Sequence, residues 1–349
     1  MRYTLIENVQ QGDRLGRHIY ASDGRILLHA DVQLTIGLIS KLRHMGVRAV
    51  YLQDDMFADI EVEELVSETT RRETMTALSS CYEHIQNNKD FNAKSLNQSV
   101  DSMIEELLLN QDTLINLTDI RTQDNKMYVH AVNVCMISLL IGLKMGLDRQ
   151  KLQELAVGAL LHDVGKILSN QELSLRTTEE VKDPTHHTWK GFDLLRRNQE
   201  LSTLSAHIAL THHEFVNGMG EPRGLKGDDI HLLSKIVAVA NEYDNLISAA
   251  DGKEVLLPNE ACEHMMGLTN IQFAHNVVWR FLRSVAFYPT GSQVRLTTGE
   301  TGVVTGQPKG LPQRPIVRTF AVVGNSTEDY DINEVDLSKE TTVFIKEVL

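Results

Sequence analysis

The 349-residue chain has only three cysteines, Cys81, Cys135 and Cys262. They are odd in number, far apart and in no metal-ligand spacing, so a disulfide framework is not expected and reduced cytoplasmic thiols fit best. Basic residues are in deficit, 34 against 47 acidic ones, which gives a formal charge of -13. That balance argues against a surface that grips polymeric nucleic acid by counterion release. A small anionic ligand is still compatible with it, because a bound metal reverses the local field. The start, MRYTLIENVQQGDR, lacks a basic segment leading into an apolar one, so no signal peptide is read there. The longest apolar run, Val134 to Leu143, is too short to span a bilayer and is closed by Lys144. A cytoplasmic protein with no membrane association is the expectation. Internal repeats and low-complexity tracts are absent as well.

The length exceeds what one compact core holds, so two or three domains are expected. Tyr3 to Gln53 contains short β-prone pieces, a turn at Asp23-Gly24, an amphipathic helix around Thr35 to Met45 and a closing strand from Val47 to Leu52. This reads as a small α+β module over residues 1–55. Residues 56–117 are acidic, free of proline and glycine, and helical in pattern, and Leu107 to Leu109 with Leu114 suggest packing onto the helices C-terminal to them. From 118 to 287 helix follows helix: Val129 to Met145, Leu152 to Leu161, Thr188 to Arg197, Leu201 to His213, His231 to Ala249, Asn259 to Met266 and Ile271 to Val285. After Tyr288-Pro289, SQVRLTTGETGVVTG alternates around Thr298-Gly299 and PIVRTFAVVG reads as a strand, so residues 288–349 form a β-rich tail. The fold class is therefore mainly α, with an all-helical centre between two smaller parts.

Within the helical centre stand His130, the pair His162-Asp163, His187 and the pair His212-His213. Imidazole and carboxylate together suit divalent transition metals. A carboxylate beside an imidazole can bridge two ions while the histidine holds one. Adjacent histidines on one helix point in different directions, so both reach a metal only near the helix terminus. Each residue also has a plainer reading. A single histidine such as His130 on an apolar helix can be a hydrogen-bonded core residue, and Asp163 ahead of Gly165-Lys166 can be a helix C-terminus. Spacing alone does not choose between them.

ALLHDVGKI, from Ala159 to Ile167, resembles the HD-x-GK signature of HD-domain phosphohydrolases. HHE at 212–214 followed by GMGEPRGLKG strongly resembles the signature segment of the HD-GYP subfamily. YVHAVNV around His130, HTWKG at His187 and IVAVANEYDNLIS match further segments of that family in the same order. The start and the β tail also resemble modules seen around this domain. The resemblance implies an HD-type helical domain and two divalent metal ions, iron or manganese, with a cyclic dinucleotide as the small-molecule substrate. A homodimer or a signalling-protein partner is the macromolecular association expected. Carried over residue by residue, Asp163 bridges the metals, His130 and His162 serve one, and His187, His212 and His213 serve the other. Asn241 stands where the family has a metal-binding aspartate, and Lys126 falls near the glutamate of three-metal members, so a third ion is not supported. Asp163 and Lys166 would be catalytic: the bridged metals would hold a hydroxide for attack on cyclic di-GMP, giving linear pGpG or GMP. Gly218, Gly220, Glu221, Pro222 and Lys253 would meet the substrate.

The departures from the family concern substrate contact and one metal. Glu221 replaces the tyrosine of G-Y-P, Asn217 an aspartate, Asn241 a charged ligand, and Ala250 the first arginine of a phosphate-clamping segment that retains only Lys253. They keep two other readings open beside an active phosphodiesterase. One is a catalytically weak HD-GYP-like sensor or interaction module, and the other is a phosphohydrolase acting on a different phosphoester.

Overall fold

The computed structural model describes the whole chain except residues 54–58, 61–63, 88, 117–119, 169–185, 249–254, 309 and 323–329. At the start lie β1 (Arg2–Leu5), β2 (Arg14–Leu15), β3 (Ile19–Tyr20), β4 (Ile26–Leu28), α1 (Ile36–His44) and β5 (Ala49–Gln53). The most apolar strand, β5, sits centrally in an antiparallel sheet of order β1-β5-β2, with Arg2 opposite Leu52. Thr35 opens α1, its hydroxyl accepting from Leu38 N at 3.3 Å, which satisfies one of the free N–H groups of the first turn. Leu15, Leu34, Val50 and Leu52 centre a separate small core.

Nine helices follow among the described residues: α2 (Glu68–Gln86), α3 (Lys94–Leu109), α4 (Lys126–Lys144), α5 (Arg149–Leu160), α6 (His187–Leu195), α7 (Thr203–Thr211), α8 (Leu232–Ser248), α9 (Pro258–Gly267) and α10 (His275–Leu282). They share one core that runs from Leu65 to Phe287 and includes α2 and α3. Every residue of α4 from Val129 to Gly142 is buried, so this helix is apolar all round because α5 and α8 cover it. By length and composition α4 could cross a membrane, yet 78% of its apolar window is buried inside the fold. Side-chain caps set several starts, with Asp148 accepting from Lys151 N at 2.9 Å and Ser202 from Leu204 N at 3.1 Å.

Two local outcomes differ from the sequence pattern. The helix expected from Ile271 begins only at His275, because the N–H groups of Ile271, Gln272 and Phe273 all turn back to the Leu268 carbonyl and Asn270 takes a φ of 61°. The C-terminal sheet holds β6 (Gln293–Leu296), β7 (Thr301–Gly306), β8 (Ile316–Val322), β9 (Tyr330–Asp336) and β10 (Ile345–Val348), all antiparallel in the order β10-β6-β7-β8-β9. β9 and β10 were not expected. YDINEVD and IKEV carry charges that weaken strand propensity, and both strands sit at sheet edges, where such residues are tolerated.

Candidate metal centre

The candidate ligands come from four places in the helical fold. His130 projects from the second turn of α4, His162 and Asp163 follow the end of α5, His187 opens α6, and His212 and His213 close α7. Helix ends are what allow the adjacent pairs to converge. The 3₁₀ turn Val164–Ile167 packs directly on the start of α6, and Gly165 permits it. A Cβ at that position would lie 1.9 Å from the His187 carbonyl oxygen and 2.8 Å from Gly191 N. This close backbone approach sets Asp163 beside His187.

Two groups form around Asp163: His130, His162 and Asp163, and Asp163, His187, His212 and His213, with the ligand atoms in each within 4.8 Å of one another. The carboxylate divides between them. Its Oδ2 lies 3.8 Å from His130 Nε2 and 3.5 Å from His162 Nε2, while Oδ1 lies 3.4 Å from His187 Nε2 and 3.6 Å from His212 Nε2. The nitrogens are similarly spaced, 3.3 Å for His130 to His162 and 3.5 Å for His187 to His212. With metal–nitrogen bonds of about 2.1 Å, neighbouring ligands on one ion stand roughly 3.0–3.4 Å apart. Asp163 Oδ1 is buried and has no hydrogen-bond partner among the described residues, as suits an atom whose partner is a cation. The residues present therefore fit divalent metal binding.

Hydrogen bonding sets the ring tautomers for the same task. His162 Nδ1 donates to Ala159 O at 2.7 Å and His212 Nδ1 to Ala209 O at 3.0 Å, which leaves each Nε2 lone pair facing Asp163. His130 Nδ1 donates to Asp244 Oδ2 at 2.7 Å, a carboxylate–histidine pair of the kind that orients metal ligands. Burial lowers His162 to about 3 and also lowers His212 and His213, so these rings are neutral. Burial alone would raise Asp163. The histidines around it and Lys166, whose Nζ lies 2.6 Å from Oδ2, outweigh that and hold it well below the usual carboxylate range. An ionised carboxylate among neutral imidazoles is the protonation state that metal binding requires.

Glu221 falls outside both ligand groups. Asn241 is buried on α8, and its Oδ1 accepts from Asn245 Nδ2 at 3.1 Å. Gly218 has a φ of 82°. A Cβ on Gly220 would lie 2.2 Å from Phe215 N, so this glycine lets the loop fold back on the His213–Phe215 backbone. Glu221, just before Pro222, exposes its carboxylate 3.8 Å from His186 Nε2, and the His186 ring centroid lies 4.5 Å from that of His187, the planes tilted by 39°. Lys253 and Ala250 lie outside the described residues.

Sequence reasoning missed three contributors. Asp244 stands in the family-like segment IVAVANEYDNLIS, but its contact with His130 joins residues 114 apart. Glu214, the third letter of HHE, is 2% exposed and accepts from Arg223 N and Leu225 N at 2.8 Å each, pinning the glycine loop. His186 reads in the sequence as a hydrogen-bonded core histidine; it caps α6, and its ring meets those of His187 and His213.

A family model described as an HD domain matches residues 101–269, and one described as a KOW domain associated with an HD domain matches residues 293–349. The chain is 30% identical over 226 residues to the cyclic di-GMP phosphodiesterase PA4108 of Pseudomonas aeruginosa, covering 63% of this chain and 54% of that protein. It is 35% identical over 166 residues to a cyclic di-GMP phosphodiesterase of Thermotoga maritima, covering 46% of this chain and 45% of that one. The matched region thus spans about half the length of these curated relatives. A solved structure, the HDG"Y"P protein Bd1817 of Bdellovibrio bacteriovorus, aligns over 80% of this chain and 97% of its own, with 20% identity and a TM-score of 0.48. The family models thus mark an HD domain at residues 101–269 followed by a KOW domain at 293–349, and with the HHE-to-GEP segment the sequence relatives make the chain HD-GYP-like.

Proposed function

We propose that the protein is a metal-dependent phosphodiesterase that opens cyclic di-GMP to linear pGpG or GMP. The observation that carries this reading is the Asp163 carboxylate, which offers one oxygen to His130 and His162 and the other to His187 and His212. His213 completes the second group. Bound there, two divalent cations, iron or manganese, would neutralise the diester and make a water acidic enough to attack phosphorus at neutral pH. Lys166 is half-exposed with its ammonium at the centre, placed to hold a phosphate oxygen or to protonate the leaving oxygen. The loop from Gly218 through Gly220, Glu221 and Pro222 forms the mouth, fixed from beneath by Glu214, and Lys253 is assigned to the phosphates from the sequence alone. The relatives named as cyclic di-GMP phosphodiesterases support this substrate class. The test is turnover of cyclic di-GMP by protein loaded anaerobically with iron or manganese, followed by chromatography. Formation of pGpG or GMP is expected, and bound but unconverted cyclic di-GMP would overturn the catalytic reading.

A specific observation favours a second reading, a weak or inactive form that senses the dinucleotide. The Asn241 amide carries no charge, and its oxygen is already engaged by Asn245. Replacing it with aspartate should raise metal content and turnover if that position limits the centre; no change in either removes this reading.

A further inference from the structure

The stretch Ile120 to Asn125 meets the N-terminal elements at four points. Ile120 packs on their core, Gln123 N donates to Met45 O at 2.8 Å, Asp124 Oδ2 accepts from Ser22 N at 3.1 Å, and Asn125 Nδ2 donates to Tyr20 O at 2.8 Å. Thr122 and Asn125 brace each other, Thr122 N donating to Asn125 Oδ1 at 2.7 Å and Asn125 N to Thr122 Oγ1 at 3.1 Å. Directly after it α4 begins, and His130 stands on its second turn. From the middle of this stretch Arg121 reaches Asp244 with both arms of its fork, Nη2 to Oδ1 at 2.5 Å and Nη1 to Oδ2 at 2.9 Å. Asp244 is fully buried, and it also accepts from His130 Nδ1 at 2.7 Å and Asn133 Nδ2 at 3.2 Å.

We propose that Arg121 is a positioning residue that couples the seating of the N-terminal elements to the metal centre. By gripping both oxygens of Asp244 it fixes the carboxylate in the orientation that receives Nδ1–H of His130 and leaves His130 Nε2 for a cation. A guanidinium suits this task because its planar fork matches a carboxylate, whereas an ammonium offers a single point of charge. Any shift of the Ile120–Asn125 stretch on the N-terminal surface moves Arg121 and the start of α4 together. The effect is confined to one side of the centre. Asp244 touches His130, which belongs with His162 and Asp163, while the rings of His162 and His212 are held by backbone carbonyls of their own helices. The inference rests on the two-metal reading of the proposed function.

The experiment is a manganese titration of the full chain and its Arg121→Met, Arg121→Lys and Arg149→Met variants, the last removing an exposed arginine elsewhere. Loss of an outer partner of a metal-ligating histidine costs about 10- to 100-fold in metal affinity. Arg121→Met should weaken one manganese by at least about tenfold and leave the other as in Arg149→Met, with Arg121→Lys between. Ile120→Ala should weaken the same ion in the wild-type background and add nothing to Arg121→Met, the non-additivity of a shared route. In metal-free protein, imidazole nitrogen NMR should show His130 held as its Nδ1–H tautomer and mixing tautomers in Arg121→Met. Equal weakening of both ions, or a His130 tautomer indifferent to Arg121, overturns the proposal. Wild-type protein that takes up no manganese would overturn the metal reading instead, with the His130 spectrum still deciding the role of Arg121.

Discussion

Replacing Gly165 with alanine tests the architecture of the centre with a single methyl group. The Gly165 φ is outside the left-handed region, so alanine brings no backbone strain of that kind and the effect is steric. The added Cβ would sit 1.9 Å from the His187 carbonyl oxygen and 2.7 Å from its carbon, where real Cβ atoms keep 3.0 Å or more. These neighbours are backbone, so no side-chain rotation relieves the clash. The turn carrying Asp163 must separate from the start of α6 by 3.0 − 1.9, that is 1.1 Å, along that line. Overpacking of this kind costs about 1–3 kcal/mol or more. Functional groups need placing within about 0.5 Å, and a displacement near 1 Å costs on the order of 100-fold in activity. Gly165→Ala should therefore lose about 1–3 kcal/mol in urea unfolding. Its binding of manganese at the group containing His187 should fall disproportionately. The control is Gly37→Ala on α1, where a Cβ meets only Thr35 Oγ1 at 3.9 Å and the change should be neutral or mildly stabilising. A Gly165→Ala protein that unfolds and binds metal like the control would refute the reasoning.

The buried neutral histidines make the metal-free chain sensitive to acid. Unfolded histidine takes its proton near pH 6.5, while burial lowers His162 to about 3 and also lowers His212 and His213. Below pH 6.5 the unfolded state then binds more protons, so stability falls as pH falls toward 3, by about 1.4 kcal/mol per pH unit from His162, and His212 and His213 act in the same direction. Urea midpoints of chelator-treated protein from pH 7 to pH 5 should drop accordingly, and a flat profile would contradict the burial. Glu214→Gln tests the loop: the amide can accept only one of the N–H bonds from Arg223 and Leu225, and an unmet buried donor costs about 1–3 kcal/mol. Hydrogen exchange at those two amides should accelerate by roughly 10- to 100-fold with manganese affinity unchanged, whereas unchanged protection would mean the carboxylate does not hold the loop.

Legibility in the sequence tracks the range of the interactions involved. Helix positions and the pairs His162-Asp163 and His212-His213 are written in short segments, where periodicity and residue type carry the signal. The grouping of histidines about Asp163 was suggested in the sequence only by family resemblance, because spacing left a helix C-terminus equally open. Three things were out of reach for physical reasons. β9 and β10 are held by pairing with β8 and β6 rather than by their own charged sequences. The start of α10 is set by a turn closing on a single carbonyl. The Arg121–Asp244–His130 chain joins residues 123 and 114 positions apart, which no local pattern encodes.

The same distinction bears on how the altered letters are weighed. Glu221 in place of tyrosine draws attention as a change in a recognised motif, yet its carboxylate is 75% exposed and stands beside His186 rather than within either ligand group. Gly220, the letter before it, is held by backbone sterics whatever the ligand. Asn241 is different, since it is buried on α8 three residues before Asp244, close to the helix face that supports His130. A charge at a buried position acts on its surroundings far more than a charge at the solvent edge, because solvent screens the latter. Under the proposed phosphodiesterase function, Asn241 is therefore the departure that bears most on turnover, and Glu221 the one that bears on the choice of nucleotide.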